Sequence, residues 1–247
     1  MTLSLEAPLT LPYTILIVVA HPDDIEFGSA GSAAAWTAQG AHVIYCIVTD
    51  GAGGSNSADM TPERLVGIRR IEQTAAAAKA GVSEVHFLGH RDGELVATVE
   101  LRRELTRLIR RLKPNRVVIM DPTAVLISGE GFDYINHPDH RAAGEAALYA
   151  VFPSAESRLV MPELLDEGLE PHKVSELYLV MSDKPNIAVD ISAVWDQKVA
   201  ALLEHRSQVE ESVVDEIHAW AVEAGKEAGV ELAESYRVMR LGGDKKE

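Results

Sequence analysis

Continuous apolar runs alternate with amphipathic stretches along the first half of the chain. Runs near residues 15–20, 42–48, 85–88 and 116–120 are rich in β-branched side chains and read as strands buried on both faces, as in a parallel sheet. Helical patterns fall between them, near 28–39, 62–80 and 98–112. Pro62 after Thr61 opens the second of these, with proline at the first helical position behind a capping residue, and Gly81 closes it. Strands alternating with helices predict βαβ units, hence a Rossmann-like α/β fold: a mostly parallel sheet with helices on both faces. A Pro/Gly/acidic segment follows at 153–173, then strands near 176–181 and 187–190, a helix near 192–206 and an acidic helical tail from 211. The tail ends in a short strand around Tyr236 to Met239. The reading is one domain over 1–247, in which 153–247 forms a C-terminal part of short strands and helices, with no internal repeat.

Two predicted loops, 49–61 and 121–136, are long for a compact domain, and such loops are usually functional or disordered. Both leave the carboxyl ends of predicted strands, where ligands bind in open α/β sheets. The turn after the first buried strand reads Ala20-His21-Pro22-Asp23-Asp24. In a dinucleotide-binding protein this turn would be glycine-rich and would offer bare amides to a phosphate. Here it offers an imidazole and two carboxylates, which repel a pyrophosphate and attract a divalent cation. A second polar cluster, Asn136-His137-Pro138-Asp139-His140-Arg141, precedes the helical run 142–151. Pro138 suits the first helical position, which places His140 in the first turn, directed into the crevice. The strands ending at Ala20 and Met120 are natural neighbours across the switch point of a doubly wound sheet, so the two clusters should meet.

Three His or carboxylate ligands with an open position make a catalytic metal site. His21, Asp24 and His140 supply such a set and leave Asp23 and His137 for proton transfer. Zinc fits it, one ion per chain, and Fe2+ or another divalent ion suits the same donors. Asp139 either orients His137 or stands behind the ligands. Plainer readings compete: Asp23 as a helix N-cap, His137 in a loop hydrogen bond, Arg69 paired with Glu72 or Asp50, and His205 on a helix surface rather than a pocket rim. Asp50 is expected to buttress the site rather than react.

Charge and cysteine usage narrow the class. The formal net charge of −15 argues against nucleic acid and anionic membrane surfaces as partners. No apolar run approaches the roughly 18–20 residues of a membrane span. The opening MTLSLEAPLTLPY lacks the basic start and apolar core of a signal peptide. The single cysteine, Cys46, excludes a disulfide framework and a cysteine-based zinc site. A cytoplasmic protein is expected, and a homo-oligomer is compatible with everything above.

These motifs resemble the LmbE-like / PIG-L superfamily of zinc-dependent N-acetylglucosaminyl de-N-acetylases. Its A-H-P-D-D stands at Ala20 to Asp24 and its H-P-D-H at His137 to His140. Thr49-Asp50-Gly51, an R-x-x-E at Arg69 to Glu72, Asp92-Gly93, Asp121-Pro122 and an H-x-S-Q at His205 to Gln208 also match, over roughly residues 14–240. The resemblance implies zinc on His21, Asp24 and His140, Asp23 as general base, and His137 as the electrophilic or acid partner. It further implies substrate contacts from Arg69, Asp50 and Asp92, and a small amino-sugar substrate that loses an acetyl group. An amidase acting on a larger amide, such as a thiol-sugar conjugate, and a non-enzymatic metal-binding module are the rivals. One departure stands out: the family commonly carries Glu directly after the second Asp, whereas Ile25 stands here and Glu26 follows.

Overall fold

The computed structural model describes residues 2–129 and 132–241. The chain runs through β1 (Ser4–Leu5), β2 (Thr14–Val19), α1 (Asp24–Gly28), α2 (Ala30–Ala38), β3 (His42–Thr49), α3 (Pro62–Lys79) and β4 (Glu84–His90). It continues through α4 (Val99–Leu112), β5 (Arg116–Met120), the hairpin β6 (Leu126–Gly129) and β7 (Phe132–Ile135), α5 (Pro138–Tyr149) and the one-turn α6 (Glu163–Asp166). The last elements are β8 (Glu176–Val180), β9 (Ile187–Asp190), α7 (Trp195–Leu202), α8 (Val213–Ala228) and β10 (Ala233–Arg240).

Eight strands form one sheet in the order β1-β9-β10-β8-β5-β2-β3-β4. All pairings are parallel except those of β10, which runs antiparallel to β8 and β9. The fold is therefore the Rossmann-like α/β architecture expected from the apolar runs. Strands of the C-terminal part extend the same sheet beyond β5. Along β2, every side chain from Ile15 to Val19 is buried, which explains why the run reads as continuously apolar rather than alternating. β2 lies between β5 and β3, and the chain crosses from β4 to β5 over that point, so the crevice opens at the carboxyl ends of β2 and β5.

Three differences from the sequence pattern matter for the site. The helix expected over 28–39 is α2, and a short helix that the pattern did not show, α1, precedes it with a break at Ser29. The stretch 121–136, read as a loop, contains an antiparallel hairpin in which Leu126 pairs with Ile135 and Ile127 with Tyr134. Its strands are four residues each, too short to show a period. The helix expected over 192–206 is a 3-10 turn followed by α7, which ends at Leu202 and leaves His205 in a turn. The close approach of α5 to the sheet depends on Gly144, where a Cβ would overlap the Met120 carbonyl oxygen. That contact sets how near the His140 end of α5 lies to the end of β5.

Candidate metal centre and active-site cleft

The turn after β2 is strained and heavily supported. Asp23 has φ 102°, in the left-handed region, a conformation that costs a non-glycine residue on the order of 1–3 kcal/mol and clusters at functional sites. It occupies the N-cap position of α1, yet its side chain caps nothing. Its backbone N–H donates to Gln73 Oε1 (2.9 Å), and Arg69 Nη2 donates to its carboxylate (3.1 Å) and to the Pro22 carbonyl. Behind it, the fully buried Glu26 accepts from Gln73 Nε2 (3.1 Å) and meets His205 Nε2 at 3.0 Å. Lys198 Nζ donates to the carbonyls of Glu26 (2.9 Å) and Phe27 (3.0 Å), closing α1, and to Glu234 (2.6 Å). Glu234 in turn accepts from the Gly31 and Ser32 amides that open α2. The break at Ser29 thus has a charged group at each helix end, cationic on the carbonyls and anionic on the amides.

The second turn is an ordinary helix start. Pro138 sits at the first position of α5, and the N-cap His137 accepts the Asp139 N–H on Nδ1 (3.2 Å). His140, in the first turn, reaches Asp24 Oδ1 with Nε2 (3.1 Å) while its Nδ1 lies 3.1 Å from Asn136 Oδ1. The His21 ring puts Nδ1 3.5 Å from Asp24 Oδ2, and Nε2 3.1 Å from Asp92 and 3.3 Å from Asp139. Asp139, expected beside His137 or behind the ligands, directs its carboxylate at His21, and it accepts the Gly93 and Leu95 amides.

The donor set fits a divalent cation. Ligand atoms of His21, His137 and His140 all lie within 4.8 Å of one another, as do those of His21, Asp92 and Asp139. On His21 and His140 one ring nitrogen already faces an acceptor, Asp92 and Asp139 for the first and Asn136 for the second. The nitrogens left over, His21 Nδ1 and His140 Nε2, both face the Asp24 carboxylate. An outer acceptor on one nitrogen and an inward-facing second nitrogen is the arrangement of a metal-ligating imidazole.

The carboxylates dominate the electrostatics of the cluster. Burial alone would lower the His21 pKa, but hydrogen bonds and charge from Asp24 and Asp92 overcome it and push it up to about 10. Burial would raise Asp24, yet the His140 and His21 rings hold it well below the usual carboxylate range. Asp23 moves oppositely: burial lifts its carboxyl above the usual range, Arg69 pulls it back, and Asp24 pushes it further up. Two adjacent carboxylates with pKa values driven apart suit two different tasks. His137 is pushed down by burial and by His21, which favours the neutral ring. Because its Nδ1 accepts a hydrogen bond, that ring carries its proton on Nε2.

A cleft of about 640 Å³ opens beside the cluster, within the roughly 300–1,000 Å³ range of ligand sites. Asp23, Asp24 and His140 form its floor, and Phe27, Ile127, Tyr134, Met181 and Trp220 contribute apolar wall. Arg69, expected to touch substrate, is only 3% exposed and turns its Nη atoms to Asp23, Pro22 and Gly51, so the geometry makes it a brace for the Asp23 turn. Asp50 and Asp92 likewise do not line this cleft, nor does His137, whose ring lies against His21 (4.7 Å between centroids) and His140 (5.3 Å). Asp50 accepts the Ala52 and Asp92 amides, and Asp92 bridges His21 and the Gly53 amide. His205 is neither surface nor rim but wholly buried against Glu26. Sequence reasoning named Asn136 in the second cluster without a role, and it missed Gln73 and Lys198, for which no local pattern exists. It also missed Glu216 and Trp220 of α8, which line the cleft from the acidic helical tail.

Fold and cluster together define an α/β protein with a His/Asp cluster able to hold a metal ion at the switch point of its sheet. Residues 16–151 match the family model described as PIG-L, GlcNAc-PI de-N-acetylase, and the chain belongs to that family. It is 32% identical over 228 residues to the diacetylchitobiose deacetylase of Thermococcus kodakarensis, covering 90% of this chain and 82% of that protein. A probable N-acetyl-alpha-D-glucosaminyl L-malate deacetylase 2 of Bacillus cereus is 27% identical, over 83% of this chain and 87% of the other. Among solved structures, the N,N'-diacetylchitobiose deacetylase of Pyrococcus horikoshii in complex with its inhibitor MPG superposes with a TM-score of 0.87 at 31% identity. That match covers 96% of this chain and 87% of the other. No helix among the described residues is long and apolar enough to cross a membrane.

Proposed function

We propose that the protein is a metal-dependent hydrolase that removes the N-acetyl group from an acetamido sugar of the N-acetylglucosaminyl type. His21, Asp24 and His140 hold the ion, and zinc is the ion best suited to two imidazoles, one carboxylate and an open position. The observation that carries the reading is the convergence of the two turns on one point with a second carboxylate, Asp23, beside the ligand rather than within the set. His137 is assigned outside the set as well, because its free nitrogen bears a proton.

A cation held by His21, Asp24 and His140 would supply Lewis acidity, to polarise the acetamide carbonyl and acidify the attacking water. Asp23, beside the ligand Asp24 and lining the cleft, takes the proton from that water as it adds to the carbonyl carbon. His137 donates its Nε2 hydrogen bond to the oxygen that becomes negative as the tetrahedral carbon forms. The proton held by Asp23 then passes to the leaving nitrogen, the C–N bond breaks, and acetate and a free amine result. Arg69 and Gln73 keep Asp23 in its left-handed conformation throughout.

Asp23→Ala tests the assignment. It should keep its metal and lose about 10²–10⁴-fold in kcat on N-acetylglucosaminyl compounds. Near-normal turnover would remove Asp23 from the base position.

A further inference from the structure

The turn from His205 to Gln208 takes no part in the chemistry above, yet buried groups connect it to Asp23. Ser207 donates from its backbone N–H (2.8 Å) and its Oγ (2.6 Å) to Glu72, so the turn is fastened to the helix that carries Gln73. His205 directs Nε2 at Glu26 Oε2 (3.0 Å), and its Nδ1 has no hydrogen-bond partner among the described residues. The ring therefore makes one hydrogen bond, and that bond goes to Glu26. Gln73 Nε2 approaches both oxygens of the same carboxylate, at 3.1 and 3.2 Å, while Gln73 Oε1 accepts the Asp23 N–H (2.9 Å). His205, Glu26 and Gln73 are wholly buried, so solvent does not stand in for a member that is removed.

We propose that His205 is a positioning residue for the deacetylation: it fixes Glu26, Glu26 fixes the Gln73 amide, and that amide keeps Asp23 in the left-handed turn that leaves its carboxylate facing the cleft. The inference rests on the reading of Asp23 as general base. A primary amide offers either its oxygen or its nitrogen to a neighbour, and the Asp23 N–H needs the oxygen. An ionised carboxylate only accepts, so Glu26 holds the Gln73 NH2 and turns the amide oxygen to Asp23. Glu26 in turn is a buried carboxylate with lone pairs to satisfy, and His205 supplies the donor that Gln73 does not. Arg69 cannot replace this chain, because it holds the Asp23 carboxylate and the Pro22 carbonyl and leaves the Asp23 N–H untouched. Without the bond to Gln73, Asp23 is free to relax into an ordinary N-cap, with its carboxylate on the amides of α1 rather than on a water in the cleft. Misplacing a reacting group by about 1 Å costs about 10²-fold in rate, so a side chain remote from substrate and ion governs kcat by this route.

The test uses the zinc-loaded protein with His205→Leu, His205→Gln, Gln73→Leu and the double variant His205→Leu/Gln73→Leu. His205→Leu should lower kcat on N-acetylglucosaminyl compounds by about tenfold or more, with KM changed by less than about twofold and the metal retained. His205→Gln keeps a donor for Glu26 and should recover most of that loss. Gln73→Leu should fall at least as far, and adding His205→Leu to it should cost less than about threefold more, because the chain is already cut. A second readout needs no turnover. Hydrogen exchange of the Asp23 backbone amide, followed by NMR relative to the amides of β2, should be slow in wild type and His205→Gln and about tenfold faster in His205→Leu. Full kcat in His205→Leu, losses that multiply in the double variant, or an Asp23 amide equally protected in His205→Leu would overturn the proposal. Absence of turnover in the wild type would sink the deacetylase reading instead, and exchange at Asp23 would then decide the positioning on its own. Melting curves establish that each variant is folded, and His205→Asn, whose shorter amide stops short of Glu26, replaces His205→Leu if that variant is not.

Discussion

The two histidine turns carry nearly the same letters, His-Pro-Asp-Asp and His-Pro-Asp-His, but are held by different physics. At 137–140 the turn makes its own structure: proline at the first helical position, an imidazole as N-cap, and α5 to continue it. At 21–24 the turn is bent into a left-handed residue at Asp23 and held by side chains that arrive from α3, α7 and β10. The first turn's chemistry therefore depends on residues as much as 200 positions away, whereas the second depends mostly on itself. The strain at Asp23 keeps a carboxylate from satisfying a helix end and leaves it facing the cleft.

Breaking the remote support should have the largest effect on stability. Lys198→Met removes the cation from a buried pair and leaves Glu234 without its counter-charge, a change that costs about 3–5 kcal/mol. Denaturant titration measures it, and a loss below about 1 kcal/mol would show that the pair is not what fastens α1 to α2. Adding Glu234→Gln to Lys198→Met should cost less than the sum of the single changes.

The self-supporting turn allows cap and chemistry to be separated. His137→Asn retains an N-cap acceptor, so stability should stay within about 0.5 kcal/mol, whereas kcat should fall by about 10²–10³-fold because the shorter amide does not reach the place of the imidazole Nε2 donor. Parallel losses of stability and activity would make His137 a structural cap. The smallest expected effect concerns His205. Burial would lower its pKa, but the Glu26 hydrogen bond and charge raise it above the ordinary value. A histidine raised on folding stabilises fully below its unfolded pKa of about 6.5, and that contribution fades as pH climbs through the raised folded value. The stability gap between wild type and His205→Gln should therefore be widest in mildly acidic solution and narrow as pH rises past neutrality. A gap that widens with pH would contradict the assigned pair.

This contrast also explains what could be read from the sequence. The buried strands, the crossover between them and the meeting of the two turns follow from apolar runs and local motifs, and β2, β5 and the start of α5 stand where those patterns put them. For Arg69, the sequence shows that an arginine follows an aspartate loop, not that its guanidinium is turned inward onto Asp23 and the Pro22 and Gly51 carbonyls. Glu26, displaced by one position from the family's usual glutamate, looks incidental until Gln73 and His205 are seen bonded to it. The cleft walls were illegible for a related reason. Trp220 and Glu216 belong to an acidic helix whose pattern resembles a solvated surface, and only the antiparallel return of β10 brings that helix against the site.

The central claim is that the two turns close on one divalent ion held by His21, Asp24 and His140. Metal content per chain, by mass spectrometry on zinc-reconstituted wild type, Asp23→Ala and Asp24→Ala, tests it directly. About one ion per chain in the first two proteins and a near-complete loss in the third is the predicted result. Equal metal in Asp23→Ala and Asp24→Ala, or no bound metal in the wild type, would contradict it.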